Sequence, residues 1–178
     1  MRIELRPDLQ APEGEAVGLA DGEVLAYVGR IPHIGGRPYR QADIAPYLAI
    51  AVSEAATLVW GGEWTLDLSR VTRLNRRTVT KDRIEKYGLP SWVLALVGRA
   101  AAHPHPRALG YIMLGFAELN DHGPYTVSPT TARTEREGRE RLSFYAWNAM
   151  KQASEMIFAA RDERHKHHLP TGREDTDS

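Results

Sequence analysis

Cysteine is absent from this chain of 178 residues. Its absence excludes a disulfide framework, a thiolate zinc site, an iron–sulfur cluster and a cysteine nucleophile. Small secreted domains often depend on disulfides, so a chain without cysteine is more typical of a reducing compartment.

Long hydrophobic runs are also absent. The longest apolar stretches, such as YIMLGFA at 111–117, are far shorter than the roughly 20 residues that a membrane-spanning helix needs. The first ten residues, MRIELRPDLQ, carry charge at once and lack the apolar centre of a secretory signal. We therefore expect a soluble, cytoplasmic protein that does not bind a membrane.

The strong catalytic signatures are missing as well. The sequence has no P-loop, no G-x-S-x-G, no H-E-x-x-H, no S-x-x-K and no G-x-G-x-x-G. Glu118, Asp121 and His122 could form part of an active site, but polar residues of this kind are usually just solvated. We favour a non-enzymatic protein and expect no cofactor.

Two histidine clusters are candidates for metal binding. His103 and His105 alternate with prolines, which extends the backbone, but no third ligand is designated elsewhere in the sequence. Asp162, His165 and His168 recur at steps of three on a predicted helix and could chelate a divalent ion. Solvated histidines near the negative end of a helix dipole are the favoured explanation of this second group. We expect no metal site.

Apolar residues make up 42% of the chain and charged residues 26%, which is typical of a globular protein. Alternation predicts a strand in RIELR at 2–6, and two apolar runs around Asp21-Gly22 predict a β-hairpin over 15–31. Proline and glycine predict a loop over 32–40, where Arg37 or Arg40 could bind an anion.

The next predicted element is a helix capped by Asp43, with Pro46 in its first turn, that ends before Gly61-Gly62. The alternating sequence WTLDLS at 64–69 then predicts a strand. Residues 80–102 predict a helix, a tight turn and a second helix, because Gly88 and Pro90 punctuate the apolar pattern.

Three features are predicted for the last third of the chain. ALGYIMLGFAEL at 108–119 is either a buried strand or a helix, and NDHGPYTVSP at 120–129 is a loop. A long helix should run from about Thr134 to His168. The predicted fold class is therefore α+β, with an N-terminal β-hairpin or small sheet and about four helices. We expect residues 1–168 to form a single domain and 169–178 a polar tail.

The long helix carries two apolar stripes. Helical spacing places Phe144, Trp147 and Phe158 on a different side from a second set. That set is Leu142, Ala146, Ala149, Ala153, Ile157 and Ala160. A helix that packs on one surface needs a single stripe. The pattern predicts either a central core helix or a homo-oligomer interface that contains Phe144, Trp147 and Phe158, as in a structural protein of a phage-like particle.

Charge is concentrated in one place. Residues 70–86, RVTRLNRRTVTKDRIEK, are here called the basic segment; they hold seven basic and two acidic side chains in a chain of zero net charge. Arginine suits phosphate recognition because its planar fork donates two parallel hydrogen bonds. If 70–77 is helical, Arg70, Arg73 and Arg77 share a face. If it is extended, Arg73 and Arg77 still do.

This pattern leads to the main functional hypothesis, a non-enzymatic nucleic-acid-binding or regulatory domain. The predicted phosphate contacts are Arg70, Arg73, Arg76, Arg77, Lys81 and Arg83. The alternatives are a contact with a protein or an anionic ligand, and a solvated basic face neutralised by carboxylates elsewhere in the fold. The homo-oligomeric assembly is the competing hypothesis for function.

Overall fold

A computed structural model of the chain describes residues 1–122 and 132–168 and, within the second range, the side chains of 136–164. The fold is α+β, as predicted: a five-stranded antiparallel sheet comes first, helices follow, and a long helix comes last. The sheet has the order β1-β2-β3-β4-β5. Its strands are β1 Ile3–Leu5, β2 Glu15–Ala20, β3 Glu23–Val28, β4 Ile31–Ile34 and β5 Arg37–Pro38.

The predicted hairpin around Asp21-Gly22 is confirmed as the connection between β2 and β3. Both turn residues have positive φ, 50° for Asp21 and 89° for Gly22. A two-residue turn with this conformation matches the twist of the strands that it joins, and Asp-Gly is one of the pairs that adopt it readily.

The prediction of a loop over 32–40 is wrong, because most of this stretch forms the β-hairpin of β4 and β5. β4 pairs with β5, and Gly35 and Gly36 make the turn with φ of 57° and 80°. Pro38 sits in β5, the last strand of the sheet. Proline has no backbone N–H to donate, and it is tolerated there because the outer side of an edge strand has no neighbouring strand to bond.

The other regular elements of the described chain are helical. They are α1 Gln41–Trp60, α2 Trp64–Thr72, α3 Lys81–Tyr87, α4 Ser91–Ala101, α5 Pro106–His122 and α6 Ala132–His168, with a 3-10 turn at Arg76–Val79. The helix, tight turn and helix predicted over 80–102 are confirmed as α3 and α4. The long C-terminal helix is confirmed as α6. The ambiguous stretch 108–119 lies in α5, which continues through 120–122, so the predicted loop is wrong there; 123–129 lie outside the described residues.

The start of α1 differs from the prediction. The helix begins at Gln41, and the carboxylate of Asp43 accepts hydrogen bonds from Arg40 Nε at 2.9 Å and Nη2 at 2.7 Å instead of capping the backbone. The guanidinium of Arg40 lowers the pKa of Asp43 through these bonds. Pro46 lies beyond the first turn and removes one helix hydrogen bond. The end of α1 before Gly61 is as predicted.

The predicted strand over 64–69 is wrong, because these residues form α2. Trp64 and Leu68 are both buried, whereas Leu66 between them is exposed. Residues four apart share one helix face, while residues two apart share one strand face. The burial therefore follows the helical period, although the apolar pattern of this short stretch fits both.

The described contacts divide the chain into two units, Met1–Ala117 and Glu118–Ser178. In the first unit, α1 packs against α2, α3, α4 and β1, and α4 also packs against β1 and β2. One face of the sheet, with Val17, Leu25 and Ile34, closes this core. The single domain predicted over 1–168 stays a prediction.

α1 packs in the core of the first unit and has an apolar composition. The helix is long and apolar enough to cross a membrane, but a core helix passes the same test of length and composition. Ten of its twenty residues are buried, whereas Tyr47, Ile50 and Leu58 are exposed. The core therefore accounts for the apolar residues on the buried face of α1.

Tyr27 links the sheet to the start of α1. Its side chain is buried, and its hydroxyl donates a hydrogen bond of 3.1 Å to Gln41 Oε1. Burial raises the pKa of Tyr27. The neutral phenol is therefore the form that this site stabilises.

Candidate nucleic-acid interface

The backbone of the basic segment changes conformation three times. α2 ends at Thr72, Arg73 follows in the left-handed region with φ of 57°, the 3-10 turn covers 76–79, and α3 begins at Lys81. The segment is therefore neither a single helix nor a strand over 70–77. Neither conditional arrangement is therefore formed over 70–77: the helix stops before Arg73, and a 3-10 turn covers Arg76 and Arg77.

Short-range hydrogen bonds hold this path. Ser69 Oγ donates to the carbonyl of Leu74 at 2.8 Å, and Thr72 Oγ1 donates to the carbonyl of Leu68 at 2.6 Å. Asn75 Oδ1 accepts from the backbone N–H of Arg77 at 2.9 Å and so caps the 3-10 turn. Asparagine is a preferred residue at such a cap. Both ends of the bend between α2 and the turn are thus tied to the backbone by side chains.

Buried apolar side chains anchor the segment to the first unit. Leu68 precedes it, Val79 ends the 3-10 turn, and Ile84 lies in the middle of α3; all three are fully buried. Val71 and Leu74 are partly buried and pack against the same core. Because the apolar residues point inward, the basic residues between them are directed to the outside.

The six predicted contact residues are all exposed: Arg70, Arg73, Arg76, Arg77, Lys81 and Arg83. All of them except Arg73 lack an ion pair with any carboxylate among residues 1–122 and the described side chains of α6. Arg73 has an interaction partner within the chain. No carboxylate of the described residues therefore neutralises these five charges. The alternative of a solvated basic face requires such neutralisation.

An aromatic side chain that sequence analysis did not assign to the site lies at its end. Tyr87, the last residue of α3, is 54% exposed. The Arg83 guanidinium carbon lies 4.6 Å from the centre of its ring, and Lys86 Nζ lies 5.3 Å from it. The spacing of Arg83 and Tyr87, four residues apart on one short helix, is the signal that could have identified this pair.

The other candidates for anion binding are Arg37 and Arg40. Arg40 is committed to Asp43 through two of its nitrogens, so its fork is occupied. Arg37 is exposed on β5. These positions do not form a second cluster like the one in the basic segment.

No group of three potential metal ligands is formed by the described histidine and acidic candidates. His103 Nδ1 accepts a hydrogen bond from the backbone N–H of His105 at 3.0 Å, which occupies that nitrogen. Glu118 and His122 are 3.2 Å apart, one turn apart on α5, and both are well exposed. Within the described residues no three potential ligands are placed to hold a metal ion. The side chains of His165 and His168 lie outside the described residues.

The predicted interface residues of α6 are open to solvent in the single chain. Phe144 is 61% exposed, Trp147 62% and Phe158 64%. Helical geometry places the three within about 60° of one another around the axis. Leu142, from the other apolar stripe, is the one buried residue among the described side chains of α6. That exposure does not fit the central-core interpretation of this helix.

The fold and the site together define an α+β protein that exposes a basic segment. Comparison with protein-family models, with curated proteins and with solved structures finds no match. The functional argument therefore depends on the residues themselves.

Proposed function

We propose that this protein binds nucleic acid through the phosphate backbone, using the basic segment, and that it acts as a binding or regulatory domain. The observation that carries the proposal is the outward orientation of five basic side chains without a carboxylate partner in the described chain. They are Arg70, Arg76, Arg77, Lys81 and Arg83. A polyanion would supply the charge that the described fold does not.

The chemistry of the side chains supports a phosphate ligand. Four of the five are arginine, whose guanidinium stays charged at any relevant pH and donates bidentate hydrogen bonds to phosphate. The segment has a surplus of five positive charges, so the rest of the chain has a surplus of five negative ones. Since like charges repel, a polyanion should bind at this segment and avoid most of the remaining surface.

The first prediction concerns salt dependence. The double variant Arg76→Gln/Arg77→Gln removes two adjacent free charges without touching a buried residue. We expect weaker binding. The slope of log affinity against log salt concentration should be shallower by about 1 to 2, since each lost phosphate contact reduces the number of counterions released on binding. Fluorescence anisotropy with a labelled oligonucleotide, measured across a sodium chloride series, gives both quantities.

The matched control is Arg2→Gln/Arg30→Gln. It removes the same charge from exposed positions just before β1 and between β3 and β4. This variant should keep the slope of the wild-type protein. Equal losses in the two double variants would show that binding depends only on net charge, and no binding of the wild type at low salt would refute the proposal.

A second candidate function is favoured by a separate observation. We propose self-association through α6, as in a homo-oligomeric assembly or a phage-like structural protein, on the basis of the exposed side chains of Phe144, Trp147 and Phe158. α6 has 37 residues, which is about 55 Å of helix. Large aromatic side chains on one side of such a helix are costly to leave in water, and a second copy of the same helix could bury them.

The second prediction tests this surface. Trp147→Glu/Phe158→Glu places charge on the aromatic side and should convert an oligomer to monomers, because charge is unfavourable in a buried apolar contact. Sedimentation equilibrium over a range of concentrations measures the change. Met156→Glu is the control: Met156 is 72% exposed but lies about 180° from Trp147 around the helix. A wild-type protein that is monomeric at every concentration would refute self-association.

A further inference from the structure

Tyr87 is placed where a ligand of the basic segment would meet it. It ends α3, and it is flanked by two cations, Arg83 and Lys86, whose charged groups lie within 5.3 Å of its ring centre. Within the described residues no hydrogen-bond partner is seen for its hydroxyl. The core of the unit does not contain this ring, since more than half of the side chain is exposed.

An aromatic ring beside guanidinium groups offers two kinds of contact at once. The ring can stack on the flat face of a base, and the adjacent cations can reach the phosphates on either side of that base. Arg83 over the ring adds a second planar group that can itself stack on a base. Neither contact depends on which base is present, because every base has a π face.

We propose that the nucleic acid bound by the basic segment is single-stranded and that one of its bases stacks on Tyr87. This inference rests on the proposed function. In a duplex the base faces are stacked on one another, so Tyr87 could use only an unpaired base. An acidic peptide would satisfy the cations but would leave the exposed ring without a flat partner.

The test compares three labelled ligands of equal length: a single strand, its duplex and an abasic single strand. Tyr87→Leu keeps an apolar side chain but removes the ring, and Tyr87→Phe keeps the ring but removes the hydroxyl. Tyr111→Leu is the control, since Tyr111 is an exposed tyrosine on α5. Circular dichroism and thermal unfolding check that each variant remains folded.

We expect Tyr87→Leu to lose roughly 5- to 10-fold in affinity for the single strand, the lower part of the range for base–aromatic stacking. The same variant should bind the abasic strand as the wild type does. Tyr87→Phe and Tyr111→Leu should bind the single strand with wild-type affinity. The wild type should also prefer the single strand to the duplex and to the abasic strand.

Different failures have different meanings. If the wild type binds all three ligands with a steep salt dependence and Tyr87→Leu changes nothing, stacking is refuted and the proposed function stands. If Tyr87→Leu weakens binding to the abasic strand equally, Tyr87 has a structural role and the inference is refuted. Competition by polyglutamate as strong as that by the single strand, with the same dependence on Tyr87, would indicate an acidic protein partner instead. Absence of binding to any ligand would refute both proposals.

Discussion

Replacement of Gly110 by valine is expected to displace α5 from α1 and to destabilise the first unit by about 1–3 kcal/mol. Gly110 is buried where the two helices approach, and a Cβ atom there would collide with the backbone carbonyl of Val59. A backbone group cannot rotate away as a flexible side chain can. The hydrogen bond of 3.1 Å from Arg107 Nη2 to the carbonyl of Thr57 should be lost with the same displacement.

The same helix supplies a matched control. Gly115 is exposed, and a Cβ atom built there meets nothing within 4 Å. Gly115→Ala should therefore leave stability unchanged or raise it by up to about 1 kcal/mol, because alanine is the better helix former. Urea unfolding followed by circular dichroism measures both variants. A Gly110→Val protein as stable as the wild type would show that α5 does not pack on α1 in this way.

The second large effect is expected for Ile84→Ala. Ile84 is the buried residue of α3, and its neighbours Arg83 and Glu85 are exposed. Truncation of a fully buried isoleucine removes apolar contacts and leaves a cavity, which costs about 2–5 kcal/mol. Since α3 has only seven residues, it depends on this anchor more than on its own helix propensity. Polyanion affinity should fall although no charge has been removed.

Glu85→Ala changes the charge of the basic segment without changing its buried anchor. The side chain is exposed, so stability should stay within about 0.5 kcal/mol of the wild type. One of the two acidic groups in the basic segment is lost, so affinity for a polyanion should rise. Urea unfolding and anisotropy on the same protein samples test both variants. An Ile84→Ala protein that is clearly destabilised yet binds as tightly as the wild type would show that the position of α3 does not matter for binding.

Elements specified by local chemistry were predictable from the sequence. The Asp21-Gly22 hairpin follows from two residues that tolerate positive φ. The boundary between α3 and α4 follows from Gly88 and Pro90, and the long C-terminal helix follows from its uninterrupted helical pattern. In each case the decisive interactions lie within a few residues of one another.

Elements that satisfy two patterns were not predictable. Trp64, Leu66 and Leu68 alternate as in a strand, but α2 buries only the first and the last of them. The choice depends on the core that these side chains meet, and that core is built by α1 from elsewhere in the chain. The loop predicted over 32–40 is wrong for a related reason, since glycine and proline are found in loops and also at the turn and the edge of a sheet.

The properties of the candidate site also fall into those that the sequence determines and those that the fold determines. The sequence alone determined the charge of the basic segment and the identity of its arginines, because composition and spacing need no fold. Only the tertiary structure decided that these side chains point outward and that Tyr87 stands beside them. Whether a cation is paired or free depends on which carboxylates approach it in space, and those residues can come from any part of the chain.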